Sequence, residues 1–132
     1  MQSSFDLALA AFDGLSSHIA VLDEEANIVL WNQAWERFAA GNGAKGTDWS
    51  RFNYREVCEM AADDGDEFAL LVAQTLGEAL GGSIERKTFE YPCHSLSEER
   101  FFQMTVSPLD VGGQRYAIVE HEDITHLRTG ER

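Results

Sequence analysis

The sequence predicts an α+β domain built on a five-stranded antiparallel sheet, with helices packed on one face and a further helix at the amino terminus. Strand-like segments fall into two groups, two early in the chain and three late, and a helical middle separates the groups. Short turns join the strands within each group, as in hairpins. With 132 residues and 44% hydrophobic content, the chain is long enough for one domain with a single core.

The amino-terminal segment predicts a short helix that precedes the first strand. Phe5, Leu9 and Phe12 recur at helical spacing, so they share one face. A helix of about ten residues is marginal in water unless something covers its apolar face. Residues 1–14 are therefore expected to form a capping or dimerisation helix.

Two strands and the start of a second helix follow. Residues 18–22 and 27–31 are apolar runs separated by an acidic turn, a pattern typical of a hairpin. Asn32 comes next, at a position where an asparagine side chain caps a helix. The glycine-rich segment 41–52 is expected to be a loop, and it carries one large aromatic residue, Trp49.

The middle of the chain predicts two helices in succession. Asn53 followed by Glu56 resembles a capping box and begins the first of them. The second, longer helix ends at Gly81 and carries a continuous apolar stripe. The stripe consists of Phe68, Leu71, Val72, Thr75, Leu76, Ala79 and Leu80.

Three strand-like segments complete the predicted sheet. They span residues 84–91, 100–109 and 114–124, with turn-forming residues between them. Side chains alternate along a strand, so Val119 and His121 fall on the same face of the last one. That strand ends in Asp-Ile-Thr, and a short charged tail follows.

Three segments of the chain resemble PAS domains. LDEEANIVLWNQAWERF is similar to the opening of that family, in which an acidic turn joins two strands ahead of an Asn-initiated helix. VEHEDIT resembles the end of the last PAS strand, and YPCHSLSEERFFQMTVSPL resembles the penultimate hairpin of many bacterial PAS sensors. The resemblance extends from about Phe12 to Thr125. It implies a sheet that curls around its helices and leaves a cavity.

The resemblance also implies how the chain is divided. Residues 15–125 are expected to form a sensor domain, and residues 126–132 the start of a connector to an output domain outside this sequence. Asp123, Ile124 and Thr125 would then relay the signal. The chain is accordingly expected to be a sensory or regulatory module of a bacterial signal-transduction protein, with no catalytic residues of its own.

Haem, flavin and small metabolites are the ligands that a PAS cavity implies, and the sequence distinguishes among them. A covalent flavin adduct needs a reactive cysteine in an Asn-Cys-Arg type motif, whereas Cys58 lies in YREVCEM. A haem sensor of the common type takes an axial histidine from the long helix, and residues 53–82 contain no histidine. Neither group is therefore expected, while a non-covalent flavin or a small metabolite remains open.

The predicted ligand site lies between the long helix and the last two strands. By alignment on Asp-Ile-Thr, His121 occupies the position where photoreceptor PAS domains place a glutamine against the flavin. A histidine satisfied by a neighbouring strand, or facing solvent, is the alternative. Core packing would explain the apolar strand residues equally well. The remaining predicted ligand contacts are Phe102, Met104, Val119, Val57, Val72 and Trp49.

No metal site and no catalytic nucleophile are predicted. Cys93 and His94 are adjacent, so on an extended segment their side chains point to opposite faces and chelate poorly. Cys58 lacks a second cysteine or histidine at ligand spacing. The Cys-His-Ser tripeptide is interpreted as strand-end and turn chemistry.

The charge balance limits the partners. Ten basic against 23 acidic residues give a formal net charge of -13, which disfavours nucleic acid and anionic lipid. The sequence contains no apolar run of membrane-spanning length and no secretory signal, so a cytoplasmic location is expected. A homodimer joined through the amino-terminal helix is the expected assembly.

Two other functions remain open at this point. One is a small cone-shaped enzyme, such as an isomerase or dehydratase, which would need a carboxylate or a His-Asp pair inside an apolar cavity. His18 and Asp23 are the nearest candidates, but their spacing puts them on opposite faces of a strand. The other is a ligand-free protein-interaction domain.

Overall fold

A computed structural model of the protein describes residues 3–41, 46–92 and 99–128. The helices are α1 (Ser4–Gly14), α2 (Gln33–Gly41), α3 (Tyr54–Asp63), α4 (Glu67–Leu80) and α5 (Thr125–Arg128), with a short 3₁₀ helix (Trp49–Arg51) before α3. The strands are β1 (His18–Leu22), β2 (Ile28–Trp31), β3 (Lys87–Pro92), β4 (Phe101–Val111) and β5 (Gln114–Asp123).

The strands form one five-stranded antiparallel sheet in the order β2-β1-β5-β4-β3. The last strand in sequence, β5, therefore lies at the centre, between β1 and β4. His121 of β5 is paired with His18 of β1 on one side and with Met104 of β4 on the other. The predicted fold class, including the helix ahead of the first strand, is confirmed.

Asn32 fastens three elements together at the start of α2. Its buried side-chain oxygen accepts hydrogen bonds from the backbone N–H groups of Trp35 and Ile19, each at 3.0 Å. Its amide nitrogen donates to the carbonyl oxygens of Ser17 and Phe12, at 2.9 and 3.2 Å. The predicted helix cap thus also ties α1 and β1 to α2, with every polar atom of the buried amide satisfied.

The acidic turn between β1 and β2 is built around Asp23. The Oδ1 atom of this carboxylate accepts hydrogen bonds from the backbone N–H groups of Glu25 and Asn27. Ala26 lies between them with a φ of 73° and no exposed surface. A buried alanine in the left-handed region is held there by the tertiary contacts around it.

The core fills the space between α4 and one face of the sheet. Side chains from the predicted stripe on α4, led by Val72 and Leu76, contact the apolar residues of the three central strands. The residues that the three central strands contribute to this core, each at most 1% exposed, are Ala20, Leu22, Met104, Val106, Ala117 and Val119. Burying these apolar side chains supplies the main driving force for folding.

Helix α1 stands apart from this core. None of its residues is buried, and Phe5 and Leu7 are 70% and 65% exposed. Its carboxyl end is nevertheless fixed, because the Asp13 carboxylate accepts a hydrogen bond from the backbone N–H of Gln33 at 3.1 Å. An anchored helix with an uncovered apolar face is the result.

Membrane-spanning helices are absent from residues 3–41, 46–92 and 99–128, where no helix combines the necessary length and apolar character.

Candidate functional site

An aromatic cavity of about 260 Å³ lies between α2, the 3₁₀ helix and the sheet. The sheet contributes residues from β1, β3 and β5 to its wall. Its lining consists of His18, Trp35, Phe38, Ala39, Trp49, Tyr91 and His121. None of these seven side chains is a carboxylate, an ammonium or a guanidinium. The site is therefore an apolar pocket with a few polar atoms, the usual character of a small-molecule site.

The aromatic rings of the lining pack against one another, and two contacts show how. Trp35 and Trp49 meet edge to face, with ring centroids 5.6 Å apart and planes at 89°. His18 stacks on Phe38 at a centroid distance of 4.4 Å. Offset and edge-to-face contacts of this kind are the favoured arrangements of aromatic side chains and hold the walls in position.

His121 is clamped between two tyrosines on the sheet side of the cavity. Its Nδ1 atom lies 2.6 Å from the hydroxyl oxygen of Tyr91, and its Nε2 atom lies 3.0 Å from the hydroxyl oxygen of Tyr54. Burial, with a smaller contribution from His18, lowers the pKa of His121 from 6.5 to about 4. The imidazole is therefore neutral at pH 7, with one nitrogen donating and the other accepting.

The burial of Tyr54 decides which nitrogen of His121 carries the proton. Among the described residues, the one hydrogen-bond partner of the Tyr54 hydroxyl is Nε2 of His121. A buried hydroxyl is costly when its hydrogen lacks an acceptor, so Tyr54 donates to Nε2. The proton of the neutral ring then lies on Nδ1, which donates to the Tyr91 oxygen. Desolvation also raises the pKa of Tyr54 well above 10, so its hydroxyl keeps that hydrogen.

The second histidine of the lining has a mixed electrostatic environment. Burial lowers the pKa of His18, the nearby Asp123 opposes that effect, and Arg37 adds to it. His18 therefore also favours the neutral form at pH 7. The side of the cavity formed by β1 and β5 thus carries two uncharged imidazoles.

Of the residues predicted to contact a ligand, His121 and Trp49 line the cavity. Phe102 lies one layer behind the lining, with its ring 5.4 Å from Phe38 and 5.8 Å from Tyr91. The structure thus places these three side chains at or directly behind the cavity wall.

The other four predicted contacts do not face this cavity. Val72 of α4, Met104 and Val119 are buried in the core between α4 and the sheet, where neighbouring side chains fill the space around them. Val57 is 50% exposed and lies on the outer side of α3, in a shallow surface depression with Phe52 and Met60. Of the predicted boundary, β5 contributes His121 to the lining, whereas α4 and β4 contribute none of the described lining residues, and α2 and the 3₁₀ helix supply the opposite wall.

The sequence interpretation also missed several lining residues. Their helical spacing predicts that Trp35 and Phe38 pack into the core, and they do pack inward, but onto the cavity. Tyr91 went unassigned, although alternation along β3 puts it on the same face as Phe89, which contacts Phe68 of α4. His18 was assigned only to a hypothetical catalytic pair.

The Asp-Ile-Thr segment connects the sheet to α5. The Thr125 hydroxyl donates to Asp123 Oδ1 at 2.5 Å, and its oxygen accepts from the backbone N–H of Phe101 at 3.0 Å. Ile124 is buried, and its backbone N–H donates to the Phe101 carbonyl oxygen at 2.8 Å. The start of α5 is thereby fixed to the first residue of β4.

The described residues contain no group of three or more His, Cys, Asp or Glu side chains that could hold a metal ion. Cys93 and His94 lie outside the described residues. Burial, aided by Asp66 and Glu59, raises the pKa of the Cys58 thiol to about 11, so that this sulfur is a weak nucleophile at neutral pH.

Comparisons with known proteins identify the fold. No protein-family model matches the chain. An uncharacterised 104.1 kDa protein from the hypE 3′ region of Rhodobacter capsulatus is 39% identical over 127 residues. That match covers 92% of this chain and only 13% of the relative, so the chain spans a small part of the length of that protein.

Two solved PAS domains illustrate the structural likeness. The PAS domain of Bordetella pertussis BvgS superposes with a TM-score of 0.59 and 17% identity, over 97% of this chain and 94% of that domain. A PAS domain from a two-component sensor histidine kinase gives a TM-score of 0.56 and 14% identity, over 91% and 96% of the two chains. The chain has the PAS fold, as the sequence resemblance predicted.

Proposed function

We propose that the chain is the sensory module of a larger bacterial signalling protein. It binds a small molecule in its aromatic cavity and passes the change through the Asp-Ile-Thr segment to an attached output domain. The observation that carries the proposal is the short packed path from the cavity wall to the start of α5.

The path begins at Phe102 and ends at Thr125. The Phe102 ring contacts Phe38 and Tyr91 of the cavity lining. Its chain neighbour Phe101 bonds through its backbone to Ile124 and Thr125. An occupant that moves these rings therefore moves β4 at the residue to which α5 is attached. Packed side chains and hydrogen bonds with two alternative arrangements are the physical means of such coupling.

Cavity size favours a small metabolite over a large cofactor. The volume of about 260 Å³ lies below the roughly 300–1,000 Å³ of pockets that take drug-sized ligands. A haem or a complete flavin nucleotide exceeds that space. Of the two ligand classes that the sequence left open, the metabolite is therefore the better fit.

The comparisons support the placement in a longer protein. The match to the Rhodobacter capsulatus relative accounts for 13% of that protein, and solved domains of the same fold include one from a sensor histidine kinase. We accordingly infer that residues 15–125 act as the sensor and that residues 126–132 begin a connector, in a cytoplasmic protein.

We further propose that the module works as a homodimer joined through α1. The exposed Phe5 and the partly exposed Leu9, four residues apart on α1, provide an apolar surface with no cover from the described residues of the chain. Pairing through this surface would bring two connectors together. A standard interface buries about 800 Å² from each partner, which exceeds what one short helix offers. The sheet would have to supply the remaining area.

The enzyme alternative gains no support from the site. The Asp23 carboxylate is engaged in its own turn, where it bonds the backbone of Glu25 and the backbone and amide of Asn27. His18 instead lines the cavity and stacks on Phe38. The pair considered for acid–base chemistry is therefore not assembled in this structure.

Native mass spectrometry of the purified chain tests ligand binding directly. A discrete added mass that disappears on denaturation is expected, and hydrogen exchange at the Phe101 and Ile124 amides should differ between loaded and stripped protein. A change in exchange confined to the cavity residues would leave binding in place but contradict the proposed relay. The absence of any added mass in protein prepared from several growth conditions would count against a ligand sensor and favour a ligand-free interaction domain.

A further inference from the structure

Two buried hydrogen-bond donors of the cavity lining lack an acceptor. The indole N–H groups of Trp35 and Trp49 are inaccessible to water and bind no acceptor in the described part of the chain. A buried donor left unpaired costs about 1–3 kcal/mol. Native proteins contain few such groups, so two in a single pair of touching rings call for an explanation.

The third tryptophan, Trp31, shows that the lack of an acceptor is confined to the indole groups of the cavity lining. The indole N–H of Trp31 donates to Glu36 Oε1 at 2.5 Å, and Trp31 is not part of the cavity lining. Indole donors in this protein are therefore satisfied where the chain itself provides an acceptor. The two unsatisfied ones belong to rings that an occupant of the cavity would touch.

His121 has no hydrogen bond to offer such an occupant. Both of its ring nitrogens are engaged, one with Tyr54 and one with Tyr91. Its imidazole instead holds the Tyr91 ring, which also lines the cavity, in a fixed orientation. The sequence-based expectation that His121 itself bonds the ligand is thus replaced by a positioning role.

The surroundings disfavour a charged occupant. No lining side chain carries a formal charge, and an ion without a partner is costly to move from water into an apolar site. The guanidinium of Arg100 lies outside the lining and is positioned over the rings of Phe38 and Phe102, at 5.5 and 5.8 Å. An organic cation without an acceptor atom could contact the ring faces, but it would leave both indole donors unpaired.

We propose that the cavity binds a small uncharged ring compound that presents a carbonyl oxygen or a ring nitrogen to the indole N–H group of Trp35 or Trp49, with that indole turned so that its N–H faces the occupant. The volume of about 260 Å³ corresponds to roughly nine water molecules at about 30 Å³ each, enough for one ring or two fused rings. This inference rests on the proposed function, since it specifies the ligand class of the same site.

Four bicyclic probes of matched size separate the alternatives by calorimetric titration at pH 7.5. Quinoline is neutral with a ring-nitrogen acceptor, naphthalene lacks the acceptor, N-methylquinolinium is a cation and naphthoate is an anion. Quinoline is expected to bind at least about tenfold more tightly than each of the others, the factor that corresponds to about 1.4 kcal/mol.

Matched variants identify the donor. Trp35→Phe and Trp49→Phe each keep an aromatic ring but remove the N–H group, and at least one should abolish the advantage of quinoline over naphthalene. Trp31→Phe makes the same chemical change outside the cavity and should leave it intact. A wild-type measurement avoids dependence on variant folding: in ¹H–¹⁵N spectra, quinoline should shift the indole N–H signal of Trp35 or Trp49 downfield and leave that of Trp31 in place.

Each other outcome has a definite meaning. Equal affinity for quinoline and naphthalene, or tighter binding of either ion, would overturn the inferred ligand class while leaving a ligand-binding module. Failure of all four probes, together with no added mass in native mass spectrometry, would overturn the proposed sensor function as well.

Discussion

The Tyr54 hydroxyl lies 3.0 Å from Nε2 of His121 and joins α3 to the central strand of the sheet. The direction of this hydrogen bond, from tyrosine to imidazole, fixes the proton of the neutral ring on Nδ1 and so determines how Tyr91 is held. The neutral imidazole of His121 thus links the hydroxyl groups of Tyr54 and Tyr91 by one hydrogen bond to each. Its protonation would break one of the two bonds, because a charged imidazole can only donate.

Replacing Tyr54 with phenylalanine should destabilise the fold by about 1–3 kcal/mol, because the buried Nε2 of His121 loses its donor. Urea unfolding at pH 7 measures the change. The control is Tyr116→Phe, which removes a hydroxyl bonded to Gln114 at an exposed position and should cost less than about 0.5 kcal/mol. Equal losses in the two variants would contradict the role assigned to the Tyr54 hydroxyl.

Stability should fall on acidification through the range set by His121. Its pKa is about 4 in the folded protein and 6.5 in the unfolded chain, so between these values the unfolded state binds more protons. The contribution is complete above about pH 7 and decreases as the pH drops toward 4, by on the order of 3 kcal/mol in total. The lowered pKa of His18 acts in the same direction.

Urea unfolding between pH 7.5 and 4.5 tests this pH dependence. The wild type should lose more stability over that interval than His121→Gln, which lacks the titrating ring. An NMR titration provides the direct check, and a midpoint for His121 near 6.5 would show that the ring is neither buried nor clamped as described.

The purified protein should show neither a Soret band after haem supplementation nor a flavin that bleaches and recovers on illumination. The reasons are the lack of a histidine in residues 53–82 and the absence of the Asn-Cys-Arg type motif around Cys58. The raised pKa of the Cys58 thiol also disfavours adduct formation. Absorbance spectra in the dark and after blue light measure both, and either signal would refute the corresponding half of this expectation.

Phe5→Glu should convert the proposed dimer to a monomer, because it puts a charge into the apolar surface of α1. Multi-angle light scattering on the intact chain measures the mass. Val111→Glu is the matched control, since Val111 is similarly exposed on the β4–β5 hairpin, away from α1. A dimer that survives Phe5→Glu would move the interface elsewhere, and a monomeric wild type would exclude dimerisation of this chain.

Thr125→Val should loosen α5 by removing its hydroxyl bonds to Asp123 and to the Phe101 backbone. Faster hydrogen exchange at Phe101 and Ile124 is expected, with a global loss of about 1–2 kcal/mol. Ser50→Ala removes a similar hydroxyl–carboxylate bond to Asp48 at an exposed site and should change neither quantity. Unchanged exchange in Thr125→Val would mean that the hydroxyl does not anchor the connector.

Much of the fold could be predicted from the sequence because its signals are local. The alternation along β5 placed Val119 and His121 on the inner face, and the stripe on α4 identified its buried side. The strand predicted from residue 84 begins only at Lys87, since segment ends depend on pairing rather than on composition.

The site was predicted less completely because its walls depend on the distance between elements. Whether Met104 faces a cavity or a packed core is decided by how closely α4 approaches the sheet, which no local pattern records. Val57 and Met60 have the three-residue spacing of an inward face, yet α3 turns them toward solvent. The tertiary arrangement overrides helical spacing at these positions.

The position of β5 has a consequence for how the chain acquires its structure during synthesis. The ribosome delivers the β1–β2 hairpin, all the large helices and β4 before the strand that pairs with both β1 and β4. Until β5 emerges, the inner edge of β1 has no partner, and its apolar residues Ala20 and Leu22 lack the neighbours that bury them. The nascent domain therefore completes its sheet late, in one cooperative step with high contact order. Until then, any structure in the nascent domain has to come from the β1–β2 hairpin, the hydrogen bonds of Asn32 and the helices.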